Sequence, residues 1–307
     1  MDAANSLHDN FEATLPPEIV DHIFRYACVL STSFCLALSQ SSVWTREIAI
    51  PYLYSTIVVT KKHTAMLLPA VLRHTPINSP IPNFLPQTHV RSIWLEPMSD
   101  KTLHIYRSCD SLCNLALSQD NFNWIVFILY ASSLRLSVLP QQTNGRKQDF
   151  HLLIITVKSE NWSNAVYAKG RKPPPSIFNK ITHLRIGQIG SYSTHLDIAH
   201  LTRLSHIAIP FHDPQKQVLN DLLGLLDMTS VTVLVVVILT DQLSESEIQE
   251  SLEWIVEQRR LERTIYGVLS KSEDLRKEWE EEARNGTNIW DRAVRYTESL
   301  SIEYASF

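Results

Sequence analysis

Glycine is scarce in this chain, with seven among 307 residues. None falls in a Gly-x-Gly-x-x-Gly, P-loop or Gly-x-Ser-x-Gly pattern, which removes the commonest phosphate-cradling and hydrolase signatures. Cysteine is scarcer still. Cys28, Cys35, Cys109 and Cys113 are the whole set, and they fit a reduced intracellular compartment better than a disulfide framework. Cys109 and Cys113 could share a helix face, yet two thiols four residues apart make neither a zinc site nor a Cys-x-x-Cys redox motif. Long apolar runs are missing too: the most apolar segment, "VTVLVVVIL" at 231 to 239, has nine residues, against about 20 for a membrane helix. No charged, apolar and cleavage segments follow one another at the amino terminus, so no leader is read there. A dense Lys/Arg patch is also lacking. From Asp241 onward 16 acidic residues face 9 basic ones, and the preceding part is only slightly positive, which speaks against nucleic acid as a partner.

What is present reads as a folded α/β chain, its apolar fraction of 44% being ample for a core. Residues 1 to 13 are expected to be disordered. The run "LPPEIVDHIFRYA" at 15 to 27 then starts a helix: Pro16 and Pro17 suit the first turn, where an amide lacks a partner anyway, and Glu18 complements the dipole. Ile19, Val20, Ile23, Phe24 and Ala27 share a broad apolar face. Phe34, Leu36 and Leu38 suggest a second helix, and Val43, Trp44 and Ile48 a third that Pro51 stops. "LYSTIVV" turns to β-branched residues and predicts a strand. "KHTAMLLPAVLR" is helical but carries Pro69, which predicts a kink or a split. Pro76, Pro80, Pro82 and Pro86 mark a surface loop.

A weak repeat follows. "VRSIWLEP", "LCNLALSQ", "SLRLSVLP", "LLIITV", "ITHLRIGQ", "LSHIAIP" and "TVLVVVIL" align on Ile93, Leu115, Leu134, Leu153, Leu184, Ile207 and Leu234, near a leucine-rich-repeat period but irregular. Helix-like pieces such as "NWIVFILYA" and "QKQVLNDLLGLL" lie between, so strands alternating with helices predict a parallel sheet. The acidic end reads as helical. Ser244 and Glu247 form a capping box, Ser270 and Glu273 suggest a second start stopped at Asn285 and Gly286, and Asn288 can cap the last helix.

Few residues single out chemistry. His195, His200, His206 and His212 are the densest histidine group, but their spacings of five and six exceed those of helical zinc sites, and no cysteine pair completes them. "KGRKPPPS" at 169 to 176 reads as an extended loop rather than a polyproline ligand, and "EWEEEAR" as a solvated helix face. No metal and no cofactor is expected. The face of the first helix leaves two readings open: packing on the third helix around Trp44 and Ile48, or docking of a partner, and both can hold.

"LPPEIVDHIFRYA", followed by "LALSQSSVWTREIAIPYLYSTIVV", resembles the F-box and F-box-like domain found in large protein families of mushroom-forming fungi. The Leu-Pro-Pro-Glu-Ile start and the Arg-Glu-Ile-Ala-x-Pro-x-Leu-Tyr end are the specific parts. "VLRHTP", "HVRSIWLEP" and "WEEEARNGTNIWDRA" extend the likeness more weakly. It implies an α/β chain with a three-helix F-box-like unit at 14 to 55, an irregular leucine-rich-repeat-like body at 56 to 240, and an acidic helical region at 241 to 307 packed on that body. It also implies a cytoplasmic or nuclear, non-enzymatic subunit that binds a Skp1-type adaptor and its cullin complex and recruits an unknown protein substrate. Leu15, Pro16, Pro17, Ile19, Ile23, Phe24, Ala49, Pro51, Leu53 and Tyr54 match the family's adaptor-binding pattern. Where many members read Leu-Val-Cys-Lys-x-Trp, this chain has "LALSQSSVWT", without the basic residue. A scaffold protein whose F-box-like unit has lost its adaptor, and more remotely a hydrolase without a known motif, are the other readings.

Overall fold

In the computed structural model, residues 15–74, 81, 84–135, 149–157, 177–189, 198, 200–211, 222–226 and 230–305 are described. The amino-terminal stretch at 1 to 13, "KGRKPPPS", His195, His212, three of the four loop prolines and the first part of "QKQVLNDLLGLL" lie outside them. Two compact units divide the chain, one up to Leu53 and one from Tyr54.

The first unit consists of α1 (Pro17–Leu30), α2 (Thr32–Ser41) and most of α3 (Val43–Ser55). Ser31 caps α2, its hydroxyl accepting from the Phe34 amide at 3.2 Å. Cys28, Cys35, Leu38, Ile48 and Ala49 form the inner cluster, with Phe24, Phe34, Tyr52 and Leu53 against it. Pro51 does not stop α3. The helix runs through it to Ser55, because Ile48 and Ala49 before the proline and Tyr52 and Leu53 after it all pack on this cluster and offset the lost hydrogen bond.

The second unit is built on one sheet of eight strands: β1 (Thr56–Val59), β2 (Ser92–Leu95), β3 (Asn114–Leu117), β4 (His151–Val157), β5 (His183–Ile189), β6 (His206–Phe211), β7 (Val233–Leu239) and β8 (Ile265–Ser270). They lie side by side in chain order and every neighbouring pair is parallel. Between them run α4 (Lys62–Arg73), α5 (Pro86–His89), α6 (Thr102–Ser108), α7 (Gln119–Arg135) and α8 (Glu245–Arg260), and after β8 come α9 (Leu275–Asn285) and α10 (Ile289–Ala305). The parallel sheet agrees with the sequence pattern. Two details differ from it. "SLRLSVLP" contributes no strand at Leu134, since residues 133 to 135 are the end of α7; Leu and Arg are good helix formers, and Ile125 and Leu129 already commit that helix to the core. The acidic end is not wholly helical, since the β-branched, aromatic run at 265 to 270 adds β8 to the sheet.

Side chains alternate across the sheet. Ile57, Ile93, Leu115, Leu152, Leu184, Ile207, Leu234 and Ile265 are register partners in one row, on the face that packs against α4, α6, α7 and α8. Pro69 sits inside α4 without splitting it, buried with Leu68 and Leu72 on this core. The other face carries a second row of Val58, Trp94, Ala116, Leu153, Arg185, Ala208, Val235 and Tyr266. It is covered by α9 and α10. Leu275 and Trp279 pack with Trp94, Ala116 and Leu153, and Ile289, Trp290 and Ala293 with Ala208, Val235 and Val237.

At the acidic end the helix termini are those the sequence marks, except at Ser270. Ser244 and Glu247 close the capping box of α8, Gly286 ends α9 at φ 70°, and Asn288 Oδ1 accepts from the Asp291 amide at 2.9 Å. Ser270 does not start a helix; it ends β8 and its hydroxyl donates to Glu278 at 2.8 Å. The fit of α9 on the sheet is close at Gly187, where an added Cβ would strike the Leu275 side chain and stand 2.6 Å from the Ile155 carbonyl oxygen. Gly187→Ala is therefore expected to lower stability by about 1–3 kcal/mol, the usual cost of overpacking, measured as the shift of a urea midpoint.

Candidate functional site

Helix α1 starts at Pro17, with the Ile19 and Val20 amides turned back onto the Pro16 carbonyl at 2.9 and 3.2 Å. Its apolar residues divide into two faces. Phe24 and Cys28 turn inward, the Phe24 ring lying 6.2 Å from Phe34 and 5.8 Å from Trp44. Leu15, Ile19, Ile23, Tyr26 and Leu30 are 57, 47, 49, 68 and 51% exposed. The spacing of Ile19, Ile23, Tyr26 and Leu30, four, three and four, places them in one stripe along the helix, and Leu15 precedes its first turn. Leu36, Val43 and Trp44 are exposed in the same unit. Among the described residues, α2 and α3 bury one face of α1 and leave the other uncovered.

Asp21 and Arg25 keep clear of the stripe. Arg25 Nε donates to Asp21 at 2.6 Å, and this hydrogen bond holds the Asp21 carboxyl below the usual range. Burial raises the Cys28 thiol, whose backbone carbonyl accepts from Cys35 Sγ at 3.2 Å; both thiols are structural.

The residues singled out by sequence are thus sorted. Leu15, Pro16, Pro17, Ile19 and Ile23 are exposed, Phe24 is half-buried beneath them, and Ala49 is wholly buried in the inner cluster. Pro51, Leu53 and Tyr54 are half-buried at the end of α3, and Tyr54 in the second unit packs against Phe84 at 5.6 Å. Stability and surface exposure therefore separate on α1. Phe24→Ala is expected to cost about 2–3 kcal/mol and to speed amide exchange throughout α1 to α3, whereas Ile23→Ala shifts stability by less than about 0.5 kcal/mol.

A second cluster lies at the heads of the strands. Register alone sets Ser92, Asn114, His151, His183 and His206 in one row on the α9–α10 side. The three imidazoles stack, His151 on His183 at 4.1 Å and His183 on His206 at 4.2 Å, and the Trp290 ring stands 5.2 and 5.5 Å from the last two. Nδ1 of His183 pairs with Thr182 Oγ1 at 2.9 Å and Nδ1 of His206 with Ser205 Oγ at 2.8 Å. Burial first, and then the neighbouring imidazoles, push His183 down to about 3. Burial lowers His151 and His206 as well, with Asp149 and Asp291 pulling the other way.

Beside the stack is a buried ion cluster. Arg185 donates to Glu278 at 2.8 Å and to Glu282 at 3.2 Å, and Arg292 reaches the same two carboxylates at 3.5 and 3.3 Å. Burial raises the Glu282 carboxyl against the pull of both arginines. Arg185 Nε is buried with no hydrogen-bond partner.

The sequence missed this second cluster. His206 was noticed, but with His200, which is exposed, rather than with His151 and His183. The usable signal was the head of each strand, "HLLIITV", "HLRIGQI" and "HIAIPF", where a histidine precedes alternating aliphatic residues. Cys109 and Cys113 share no helix; they flank a turn between α6 and β3 in which the Leu112 amide donates to the Cys109 carbonyl. Burial pushes the Cys109 thiol up to about 12, so it is inert. Among the described residues no group of three or more His, Cys, Asp or Glu is placed to hold a metal ion, and no helix is long and apolar enough to cross a membrane. Comparison of the chain with models of known protein families, with curated proteins and with solved structures gave no match.

Proposed function

We propose that this chain is the substrate-receptor subunit of a cullin-RING ubiquitin ligase, docking a Skp1-type adaptor through α1 and holding a protein substrate on the second unit. In this reading the first unit is F-box-like and the body is an irregular relative of leucine-rich-repeat folds. The observation that carries it is the exposed stripe of Leu15, Ile19, Ile23, Tyr26 and Leu30. An amphipathic helix with aliphatic and aromatic anchors at helical spacing is what a helix-in-groove partner needs. Leu15, Ile19 and Ile23 of this stripe are among the residues that match the family's adaptor-binding pattern.

The chain itself supplies no reacting group. Ubiquitin transfer belongs to the partner enzymes, and the receptor's contribution is to hold the acceptor lysine of its substrate near them. The test is co-expression with a Skp1-type adaptor followed by co-purification, comparing the intact chain with one lacking residues 1 to 55. The reading expects the adaptor with the intact chain alone, and recovery of equal adaptor with both, or with neither, overturns it.

A further inference from the structure

At the heads of β2 to β5 the cover of α9 and α10 leaves a cavity of about 220 Å³ against the sheet. Its floor is the polar row of Ser92, Asn114, His151 and His183, and the indoles of Trp279 and Trp290 are in its walls. Arg91 and Gly286, both exposed, mark its mouth. Sites for whole small molecules are usually about 300–1,000 Å³, so this one has room for a single amino-acid side chain.

The charges beneath α9 and α10 are already matched. Arg185 and Arg292 face Glu278 and Glu282 at 2.8 to 3.5 Å, two positive groups against two negative ones. Arg91, the other cation of the lining, is exposed at the mouth, so a charged group that reached the floor would lose its hydration with no counter-charge free beside it, which is costly. An apolar group would leave polar atoms unmet. Asn114 spends its amide hydrogens on Ser92 Oγ and Cys113 Sγ, and its carbonyl oxygen has no partner among the described residues. Of the His183 ring nitrogens only Nδ1 is bonded among the described residues. The cavity is thus bordered by an unmet acceptor and by imidazole nitrogens that can serve as donor or acceptor.

We propose that this cavity receives one neutral carboxamide side chain, glutamine or asparagine, from a bound peptide. A carboxamide has one carbonyl acceptor, two N–H donors and a flat shape that fits between indole and imidazole. A carboxylate has no donor and an ammonium no acceptor. Only the word peptide rests on the reading of the chain as a protein receptor; the chemistry of the cavity does not.

The test uses the full chain with ¹³C-labelled histidine at pH 7.5. It is titrated with N-acetyl-glutamine methylamide, and in parallel with the glutamate and lysine counterparts. A saturable shift of the His151 and His183 signals by the glutamine probe is expected, with binding at least tenfold weaker for the two charged probes. Asn114→Leu is expected to weaken glutamine binding tenfold or more while the histidine signals stay dispersed. No saturable shift, equal binding of a charged probe, or unchanged binding in Asn114→Leu overturns the proposal. Should that variant fail to fold, the three probes on the unsubstituted chain decide alone. Adaptor capture plays no part in the measurement, so its outcome is separate from that of the docking reading.

Discussion

Acidification from pH 7 to 4.5 is expected to remove about 2.5 kcal/mol of stability from the sheet unit through His183 alone, a large part of the roughly 5–15 kcal/mol that folded domains have. The sign follows from the stack. His183 is enclosed between two imidazoles, and its folded value of about 3 lies far below the ordinary 6.5. Between those values the unfolded chain binds the proton and the folded one does not. The stabilisation is thus complete above about pH 6.5 and falls as pH drops toward 3, by at most about 1.4 kcal/mol per pH unit. His151 and His206 act in the same direction and over a narrower range, since Asp149 and Asp291 partly favour their charged forms. Glu282 acts in the opposite direction. Its raised value means that its own contribution declines as pH rises through the window above the ordinary carboxylate range. His183→Phe keeps a flat ring in the stack and removes the titration. Urea midpoints measured from pH 7.5 to 4.5 are expected to fall steeply for the natural chain and more shallowly for His183→Phe, and parallel curves would contradict the assignment.

Replacing Arg185 by Met is expected to cost about 3–5 kcal/mol, because two buried carboxylates are left with one partly exposed arginine between them. Both Glu278 and Glu282 are 14% exposed at the side chain and Arg292 is 31% exposed. A buried pair that is broken leaves an uncompensated charge, whereas one removed as a whole leaves little deficit. Adding Glu282→Gln to Arg185→Met is therefore expected to recover at least about 1 kcal/mol. Equal or greater loss in the double variant would mean that the arginine acts through its packing under α9 and not through its charge.

The parallel sheet was readable in sequence because buried strands of a parallel sheet are continuous aliphatic runs, and "TVLVVVIL" and "LLIITV" are of this kind. Ile93, Leu115, Leu184, Ile207 and Leu234, aligned by pattern, are partners in one row. Leu153 was aligned with them, but Leu152 is the partner, and Leu153 belongs to the face under α9. A run without polar alternation cannot tell its two faces apart, and a slip of one residue exchanges them. The histidine stack was hidden for a related reason. His151, His183 and His206 are 32 and 23 positions apart, and only the register of β4, β5 and β6 brings their rings together. On α1 the pattern gave a broad apolar face and could not divide it. Which half is covered depends on where α2 and α3 bring Phe34 and Trp44, and they meet Phe24, leaving Ile19 and Ile23 outside.

That division makes Ile19 and Ile23 the residues on which the docking reading stands. The most direct measurement is an equilibrium titration of a purified Skp1-type adaptor against the full chain and against Ile19→Asp/Ile23→Asp, with the amide exchange of α1 to α3 followed in both. The account predicts saturable binding to the natural chain, a loss of at least about thirtyfold in the double variant, and protected α1 amides in each. Absence of binding to the natural chain, or equal binding to the variant, would contradict it.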